Sequence, residues 1–445
     1  MPTMLTRRAF ASRTLAAIAS AAVLAAGTLT AGVAAAADYT LRIHTLVSSP
    51  HPYNDMAAFM KEKLEAESDG RIAVRIFDAG QLGQDPEVIG EMGLGTIDMM
   101  ISTTNNAVKQ IPEYQIFSMP YLFANIDEMA AAVGSDSEIM AYFEKVYADR
   151  GLGMKLLALT GTGTRNLSNS VRPVETVADI EGMKMRTPPD RLMSETWSAL
   201  GTLPVTVAWG ELYAAMQTGV ADAMESSLPG YTGSKLYEVS PYLALTAHTV
   251  QATHVSISER TWGKLPEDLQ ALVAETAIEA AAFGLEKAKG YDADLVKTLA
   301  EEHGVTVTEP DISSFLDKLA PKQAELAEEL GYERAWFYDS PALYPDVWVQ
   351  LCRAADRTQR ISLSTGVLVP HLRHPMVTAA AIATLVSAAG QDRVVVGIGS
   401  GFTARVSMGQ RPLTWRFVSE YIVALRGLLR GEDVEWEGAI TRMLQ

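Results

Sequence analysis

Gly161-Thr-Gly-Thr-Arg165-Asn166 begins the most informative segment of the chain, which ends at Gly230. Arg165 and, further on, Arg186 each stand in a short strand-like run beside small or turn-forming residues, and an aromatic residue follows. A guanidinium group presents its N–H donors as a fixed fork that matches a carboxylate. The segment therefore predicts a site for an anionic small molecule. Its other blocks are Gly182-Met-Lys-Met-Arg186-Thr-Pro188, Pro204-Val-Thr-Val-Ala-Trp209-Gly-Glu211-Leu-Tyr213 and Gly219-Val-Ala-Asp222-Ala-Met-Glu225-Ser226.

Upstream of this segment, short apolar runs alternate with helical patterns. The runs at 39–46, 71–77 and 95–101 are typical of strands, whereas 54–67 and 85–94 have the spacing of helices. An alternation of strand and helix predicts an α/β fold, in which helices cover a mostly parallel sheet.

The order of these blocks over residues 38–320 resembles the periplasmic solute-binding proteins of TRAP transporters, the DctP-like family. The resemblance extends to Gln81-Leu82-Gly83, to the block from Gly95 to Asp98 and to the loop from Pro112 to Phe123. It implies a two-lobe periplasmic binding protein fold with a hinge, and a long helix that spans both lobes. It also implies a non-enzymatic protein, without catalytic residues or cofactor, that captures a carboxylate-bearing small organic acid for TRAP-type membrane permease subunits.

The same resemblance assigns roles to residues. An arginine in the Lys-x-Arg-x-Pro position of the family pairs with the ligand carboxylate, and Arg186 occupies that position. Arg165, in a Gly-Thr-Arg turn, lines the same site, and Trp209 has the position of an aromatic wall. Ser226 stands where an amide side chain is often found, and a hydroxyl is shorter than an amide. The other expected substrate-binding residues are Glu225, Tyr53 and Asn54, the last two in a polar loop after the first strand.

Simpler interpretations compete with these roles. Arg186 fits a surface arginine at a strand end, and Trp209 fits an ordinary core residue. Glu211 and Glu225 together resemble a paired-carboxylate active site. We favour charge partners for the arginines or structural caps for these two glutamates, because ligand capture needs no acid–base chemistry.

A long helix is predicted after Leu265-Pro266-Glu-Asp, since proline at the first helical position and acidic residues in the first turn favour a helix start. The pattern extends to about His303, with expected interruptions at Gly284 and Gly290. The resemblance makes this the helix that spans both lobes, although its apolar spacing also fits an ordinary packed helix.

Residues 1–37 have the pattern of a twin-arginine export signal. Thr6-Arg7-Arg8-Ala9-Phe10 precedes an alanine-rich apolar stretch at 15–33. A transmembrane anchor is the alternative, because the stretch is nearly long enough to cross about 30 Å of hydrocarbon. Its weakly apolar residues and the small residues after it favour cleavage near Ala37, which predicts a periplasmic protein.

The charge distribution and the cysteine content restrict the function further. The formal charge is −16, and the region 38–320 carries −19, because the leader contributes +3 and the tail is neutral. So acidic a region argues against nucleic-acid binding. Cys352 is the single cysteine, which excludes an internal disulfide, and no metal site is expected. Pro370 and Pro375 separate His371 and His374 from any shared helix.

The tail, residues 321–445, has a different composition: after Lys322 it contains no lysine and 12 arginines. Its blocks resemble luciferase-like flavin- or deazaflavin-dependent oxidoreductases, which gives an alternative function. A (β/α)₈ barrel takes about 250 residues, so the tail predicts a partial barrel-like segment with about three strands. The loop Gly397-Ile-Gly399-Ser-Gly401 fits either a cofactor phosphate or a tight strand-to-helix turn. The blocks that carry the resemblance are 327–339, 365–375, 394–401 and 421–432.

Overall fold

The computed structural model describes residues 37–341 and 344–443 of the 445-residue chain. The predicted export leader, apart from Ala37, lies outside the described residues. Among the helices that the structure does describe, none is both long enough and apolar enough to cross a membrane.

The strands are β1 (Tyr39–His44), β2 (Ile72–Phe77), β3 (Met99–Thr103), β4 (Met154–Asn169), β5 (Lys184–Thr187), β6 (Leu203–Thr206), β7 (Ala223–Ser227), β8 (Tyr242–Ser258), β9 (Thr306–Thr308), β10 (Arg334–Phe337), β11 (Ser362–Leu368), β12 (Val394–Ile398), β13 (Val434–Trp436) and β14 (Ala439–Thr441). The helices are α1 (Pro52–Glu67), α2 (Asp85–Leu94), α3 (Ile126–Val133), α4 (Glu138–Arg150), α5 (Arg191–Ala199), α6 (Leu212–Gln217), α7 (Leu228–Gly233), α8 (Glu259–Trp262), α9 (Glu267–His303), α10 (Ile312–Glu329), α11 (Val347–Ala355), α12 (Pro375–Ala389), α13 (Phe402–Ser407) and α14 (Trp415–Leu429).

One large sheet runs through two lobes. In the described chain its order is β2-β1-β3-β8-β4-β7-β5-β6, with β9 beside β8. Strands β1 to β3 belong to the first lobe, and β5, β6, β7 and β9 to the second. Helices cover the sheet in both lobes, and each lobe has its own apolar cores. The α/β fold and the two-lobe arrangement expected from the sequence are confirmed.

Two long antiparallel strands, β4 and β8, connect the lobes. The first half of β4 lies in the first lobe, and its second half pairs with β7 in the second. Their pairing shifts register between Gly161 and Thr164 and again between Arg165 and Leu167. The Gly-Thr-Arg segment is therefore not the turn expected from the sequence. It is an irregular part of a continuous strand, in which Gly163 takes up a positive φ of 126°.

Helix α9 is the spanning helix. Its first half packs Leu269 and Val273 into a first-lobe core, and its second half packs Leu295 and Leu299 into a second-lobe core. The helix is continuous, so the expected interruptions at Gly284 and Gly290 were wrong. At Gly284 the missing side chain makes room for α1, because a Cβ atom there would lie 2.5 Å from Met56 Cγ.

The tail folds around a separate core. Strands β10, β11 and β12 form a parallel sheet within the described residues, and α10, α11, α12 and α14 contribute to the core beside it. The three strands confirm the partial barrel-like segment, and the hairpin β13–β14 is an addition that the sequence did not predict. The sheet ends at β10 on one side and at β12 on the other.

Helix α10 belongs to both parts of the chain. Phe315 and Leu319, in its first half, lie in a second-lobe core, whereas Ala320 and Ala324 lie in the tail core. An ion pair with a 2.7 Å separation also links Arg191 of the second lobe to Glu329 at the end of the helix. The boundary expected between 320 and 321 falls inside this helix, so the two segments share one element.

Candidate functional site

A cleft with about 470 Å³ of empty space lies between the two lobes. The first lobe contributes residues from the loop after β1 and from the segment after β3, and the second lobe contributes residues from β5, β7 and α7. Arg165 and Gln251, on the two connecting strands, form part of the wall between them.

Arg186 is a buried cation without a carboxylate partner in the described part of the chain. It lies on β5 and is only 2% exposed. Its Nε donates to the carbonyl oxygen of Val207 at 2.9 Å, and its guanidinium lies 5.6 Å from the ring centre of Trp209. Among the described residues, neither Nη group has a hydrogen-bond partner. Burial lowers the pKa of Arg186 to about 10, since the charged form loses its hydration. The group is charged at neutral pH and directed at the cleft.

Arg165 differs from Arg186 because it is already neutralised. Its Nε and Nη2 donate to the two carboxylate oxygens of Glu225, and Nη2 lies 2.7 Å from Oε1. Burial disfavours both charges, yet Arg165 lowers the pKa of Glu225 to about 2. Glu225 lies behind Arg165 and does not line the cleft, so the structure supports the role of charge partner and not that of a ligand contact.

Gln251 joins Arg165 to Tyr53. Its Oε1 accepts from Arg165 Nη1 at 2.7 Å, and its Nε2 donates to the Tyr53 hydroxyl at 2.6 Å. Thr253 donates to the same hydroxyl at 3.2 Å. The Tyr53 hydroxyl is therefore held by two side chains of β8. Tyr53, Arg165 and Gln251 are buried and lie along one wall of the cleft.

His51 contributes a neutral donor. Its Nδ1 accepts from the backbone N–H of Tyr53 at 3.2 Å, so that nitrogen carries no proton. Burial, together with the nearby charge of Arg165, lowers the pKa of His51 to about 3. In the neutral ring the proton is therefore on Nε2, and His51 lines the cleft beside Tyr53.

The family of the chain follows from comparison with known proteins. The DctP family model, described as bacterial extracellular solute-binding protein, family 7, matches residues 43–330. The chain belongs to this family. A solute-binding protein of Sulfitobacter sp. strain NAS-14.1 is 31% identical over 299 residues, which is 67% of this chain and 89% of the relative. The family assignment made from the sequence is confirmed.

Comparison with solved structures supports this family assignment. A TRAP periplasmic solute binding protein from Polaromonas sp. JS666, bound to D-erythronate, has a TM-score of 0.63 and 28% identity, and the match covers 66% of this chain and 95% of that one. The sugar acid binding protein DctPAm from Advenella mimigardefordensis, in complex with galactonate, has a TM-score of 0.62 and 26% identity, with 66% and 94% covered.

Of the residues predicted for the ligand site of this family 7 protein, the structure brings five to the cleft: Arg186, Arg165, Trp209, Ser226 and Tyr53. Asn54 is not among them, because its side chain holds the loop after β1 together. Its Nδ2 donates to Val47 O at 3.0 Å and its Oδ1 accepts from the hydroxyl of Thr45. Tyr53 and Asn54 also lie in α1, which begins at Pro52, and not in the loop expected from the sequence.

Sequence interpretation missed several cleft residues. His51, Asp85 and Gln251 line the cleft, as do Asn105 and Asn106 in the 3₁₀ turn after β3. The two asparagines follow a buried strand directly, which is a usable signal for a site at the end of a sheet. No sequence feature pointed to Gln251, because it lies inside a strand. Its role follows only from its hydrogen bonds to Arg165 and Tyr53.

The tail matches a second family model, luciferase-like monooxygenase, at residues 298–444. Close packing against the neighbouring strand accounts for the glycines of its loop. A Cβ atom at Gly397 would lie 2.6 Å from Thr365 O, one at Gly399 would lie 2.8 Å from Val367 Cγ2, and one at Gly401 would meet Val369. The space that these glycines leave is filled by β11 and the residue after it. The loop therefore fits a tight strand-to-helix turn.

Proposed function

We propose that this family 7 protein captures a small organic acid outside the cytoplasm and that Arg186 binds the ligand carboxylate. The observation that supports this most directly is that Arg186 has no carboxylate partner among residues 37–341 and 344–443. A buried ionised group is costly unless it is paired, and here the free N–H groups are directed at a cleft. A ligand carboxylate supplies the missing charge and accepts two parallel hydrogen bonds.

Trp209, Arg165, Tyr53 and Ser226 complete the proposed site. Trp209 lies against Arg186, and a Cβ atom at Gly230 would lie 3.3 Å from its ring, so the indole is held on both sides. The two solved relatives bind erythronate and galactonate, both of which carry one carboxylate. For the ligand of this chain we propose only the carboxylate that the two ligands share.

Closure of the lobes on the ligand is part of the proposal. Asp190 caps α5 in the second lobe, where its Oδ1 accepts from the Leu192 N–H at 2.9 Å. Its Oδ2 accepts from Asn105 at 3.0 Å and from the Ser118 hydroxyl, both in the first lobe. The lobes are therefore bridged by buried hydrogen bonds next to the cleft. Opening the hinge would break them and admit the ligand.

We also propose the partners and the location. Proteins of this family work with TRAP permeases, and we expect TRAP-type membrane subunits to receive the ligand. The leader predicts a periplasmic protein cleaved near Ala37. Residues 38–320 would carry the binding function and 321–445 would form an appendage without it.

A thermal-shift screen of the purified chain against organic acids tests this function. A ligand at about 100 times its Kd stabilises the folded state by roughly 2.7 kcal/mol. We expect stabilisation by carboxylic acids and no response to the matching uncharged amides. Equal shifts with acids and amides would contradict the role of Arg186.

For the tail, we propose that it is not an oxidoreductase. Its described parallel sheet has three strands, whereas a (β/α)₈ barrel has eight. The packed glycine loop supports the same conclusion. The test is to add flavin mononucleotide or a deazaflavin to the purified chain. Binding with a raised Tm and a shifted absorption band would overturn this proposal and favour the alternative oxidoreductase function.

A further inference from the structure

Strand β12 is an open edge of the tail sheet. It pairs with β11 on one side, and no strand among the described residues lies on its other side. All five of its residues, Val394-Val-Val-Gly-Ile398, are partly exposed, and none of them is charged. An edge strand of this kind presents unpaired backbone N–H and C=O groups to a strand of another chain. Its β-branched residues also favour strand pairing.

The charge that precedes this strand does not protect its open edge. Arg393 Nε donates to Ile361 O at 3.1 Å, and its Nη1 donates to Thr358 O at 2.9 Å. These bonds hold the guanidinium on the β11 side of the strand. The other edge of the sheet differs, because β10 begins at Arg334 directly after Glu333, and both side chains are exposed. Charges of this kind discourage edge pairing, so β12 is the unprotected edge.

An apolar groove runs along the same edge. It has about 1280 Å³ of empty space and lies between β12, α12 and α14. Val386 of α12 and Ile422 and Leu429 of α14 line it, and Arg426 is the single charged residue among the described residues of the lining. Leu429 is 44% exposed. A strand added to β12, with the side chains that accompany it, would cover this groove and remove its apolar surface from water.

The charge distribution favours a second copy of this chain as the occupant of the edge. Residues 38–320 carry a formal charge of −19, whereas residues 321–445 have 13 basic and 13 acidic residues and are neutral. Two copies that met through their lobes would bring like charges together, and contact through the tails avoids that repulsion. A strongly basic partner would be attracted to the lobes and not to an uncharged strand. The uncharged edge of one tail matches the same edge of another.

We propose that β12 pairs with β12 of a second copy, antiparallel across a two-fold axis. Such an axis makes two identical edge strands run in opposite directions, and it joins the two three-stranded sheets into one sheet of six strands. The charged β10 remains at both ends, so the assembly stops at two copies. The contact area is small, so the dimer is reversible and not permanent. It involves the tail alone and does not depend on ligand capture in the cleft.

The test is sedimentation velocity of the purified full chain at concentrations from about 1 to 100 µM. We expect the mass to double within this range. The dimer should persist at high salt, because an apolar contact is not weakened by screening and the acidic lobes then repel each other less. The mass of one chain at every concentration would overturn the proposal. Dissociation by salt, or assemblies of more than two chains, would do the same.

Two variants test the position of the interface. Val395→Lys puts a charge on the open edge without removing a residue of the tail core, and Leu429→Lys puts one in the groove. Each brings like charges together in the dimer and should weaken it by about tenfold or more. Val349→Lys is the control: this residue of α11 is 54% exposed, does not line the groove, and should leave the dimer unchanged. Circular dichroism confirms folding, and a dimer that both variants retain would overturn the assignment.

Cross-linking gives a readout that does not depend on a charged substitution. Cys352→Ser removes the single cysteine, and Val395→Cys then provides one thiol per chain. A five-residue strand is about 17 Å long, so any antiparallel pairing of the two β12 strands keeps the two thiols within that distance. A long flexible bismaleimide should therefore join two chains at Val395→Cys and few at the control Val349→Cys. Equal yields at the two positions would overturn the placement of the interface at β12.

Discussion

Arg165 and Glu225 are joined by two parallel hydrogen bonds across adjacent strands, whereas Arg186 on the next strand has no acidic partner among the residues that the structure describes. The two arginines lie in one cleft and are both almost fully buried. Their environments nevertheless assign them different tasks. Arg165 is part of a structural ion pair, and Arg186 is available to a ligand.

Replacing Arg186 by methionine should abolish ligand binding with little effect on folding. The ligand loses a desolvated charge partner, which costs on the order of 2–5 kcal/mol. The unliganded protein loses an unpaired buried charge together with one hydrogen bond, so its stability should change by about 1 kcal/mol or less. Calorimetry and urea unfolding measure the two quantities. Lys184→Met, on the same strand but at the surface, is the control and should keep full affinity.

Replacing Arg165 by methionine should instead destabilise the protein, by about 3–5 kcal/mol, because it leaves the Glu225 carboxylate buried without its partner. The double variant Arg165→Met with Glu225→Leu should regain most of that loss. Urea unfolding of the two single variants and the double variant gives the coupling energy. Additive effects would show that the pair does not act as a unit.

Stability should decrease as the pH falls from about 6.5 to 4. Burial lowers the pKa of His254 to about 4 and that of His51 to about 3 in the folded chain. In the unfolded chain the two histidines take up a proton near pH 6.5. Below that value, each histidine therefore lowers the free energy of unfolding by up to about 1.4 kcal/mol per pH unit. Above about pH 6.5 the two histidines cause no loss of stability, because they are neutral in both the folded and the unfolded chain.

The variant His254→Gln provides the check on that pH dependence. Between pH 6.5 and 4, the free energy of unfolding of this variant should decrease by about 2 kcal/mol less than that of the parent. Chemical unfolding at several pH values measures the slope. Parallel curves for the parent and the variant would show that His254 does not contribute.

The two glycines of α9 should respond in opposite directions to alanine. At Gly284 the new methyl group meets Met56, and overpacking of this kind costs about 1–3 kcal/mol. A Cβ atom at Gly290 would meet no described atom within 4 Å beyond the backbone of its own helix, so alanine should stabilise the helix by about 0.5–1 kcal/mol. Thermal unfolding of both variants measures the contrast. Each glycine serves as the control for the other.

The sequence predicted the fold well because its signals are local and periodic. The strands before Thr103 and the start of α9 follow from alternation, turn residues and a proline. Long-range relations were less accessible. The turn expected at Gly163 and Thr164 became part of β4, since pairing with β8 on one side and β7 on the other keeps the chain extended.

The candidate site was predicted only where a residue type is informative by itself. Arg186 and Trp209 are such residues. Glu225 and Asn54 are polar residues in the expected region, but each uses its polar atoms on neighbouring protein groups. Conversely, Gln251 is an ordinary strand residue until its contacts with Arg165 and Tyr53 are known. Which polar atoms remain free is a property of the folded chain.

Helix α10 has a mechanical consequence. Its first half is anchored in the second lobe and its second half in the tail, so a rotation of that lobe carries the whole tail with it. If the lobes rotate about a hinge, the tail would move as a lever, so that a small hinge angle would give a large displacement at its far end. A fluorophore attached there, for instance at the exposed Ile440, would report ligand capture from outside the cleft.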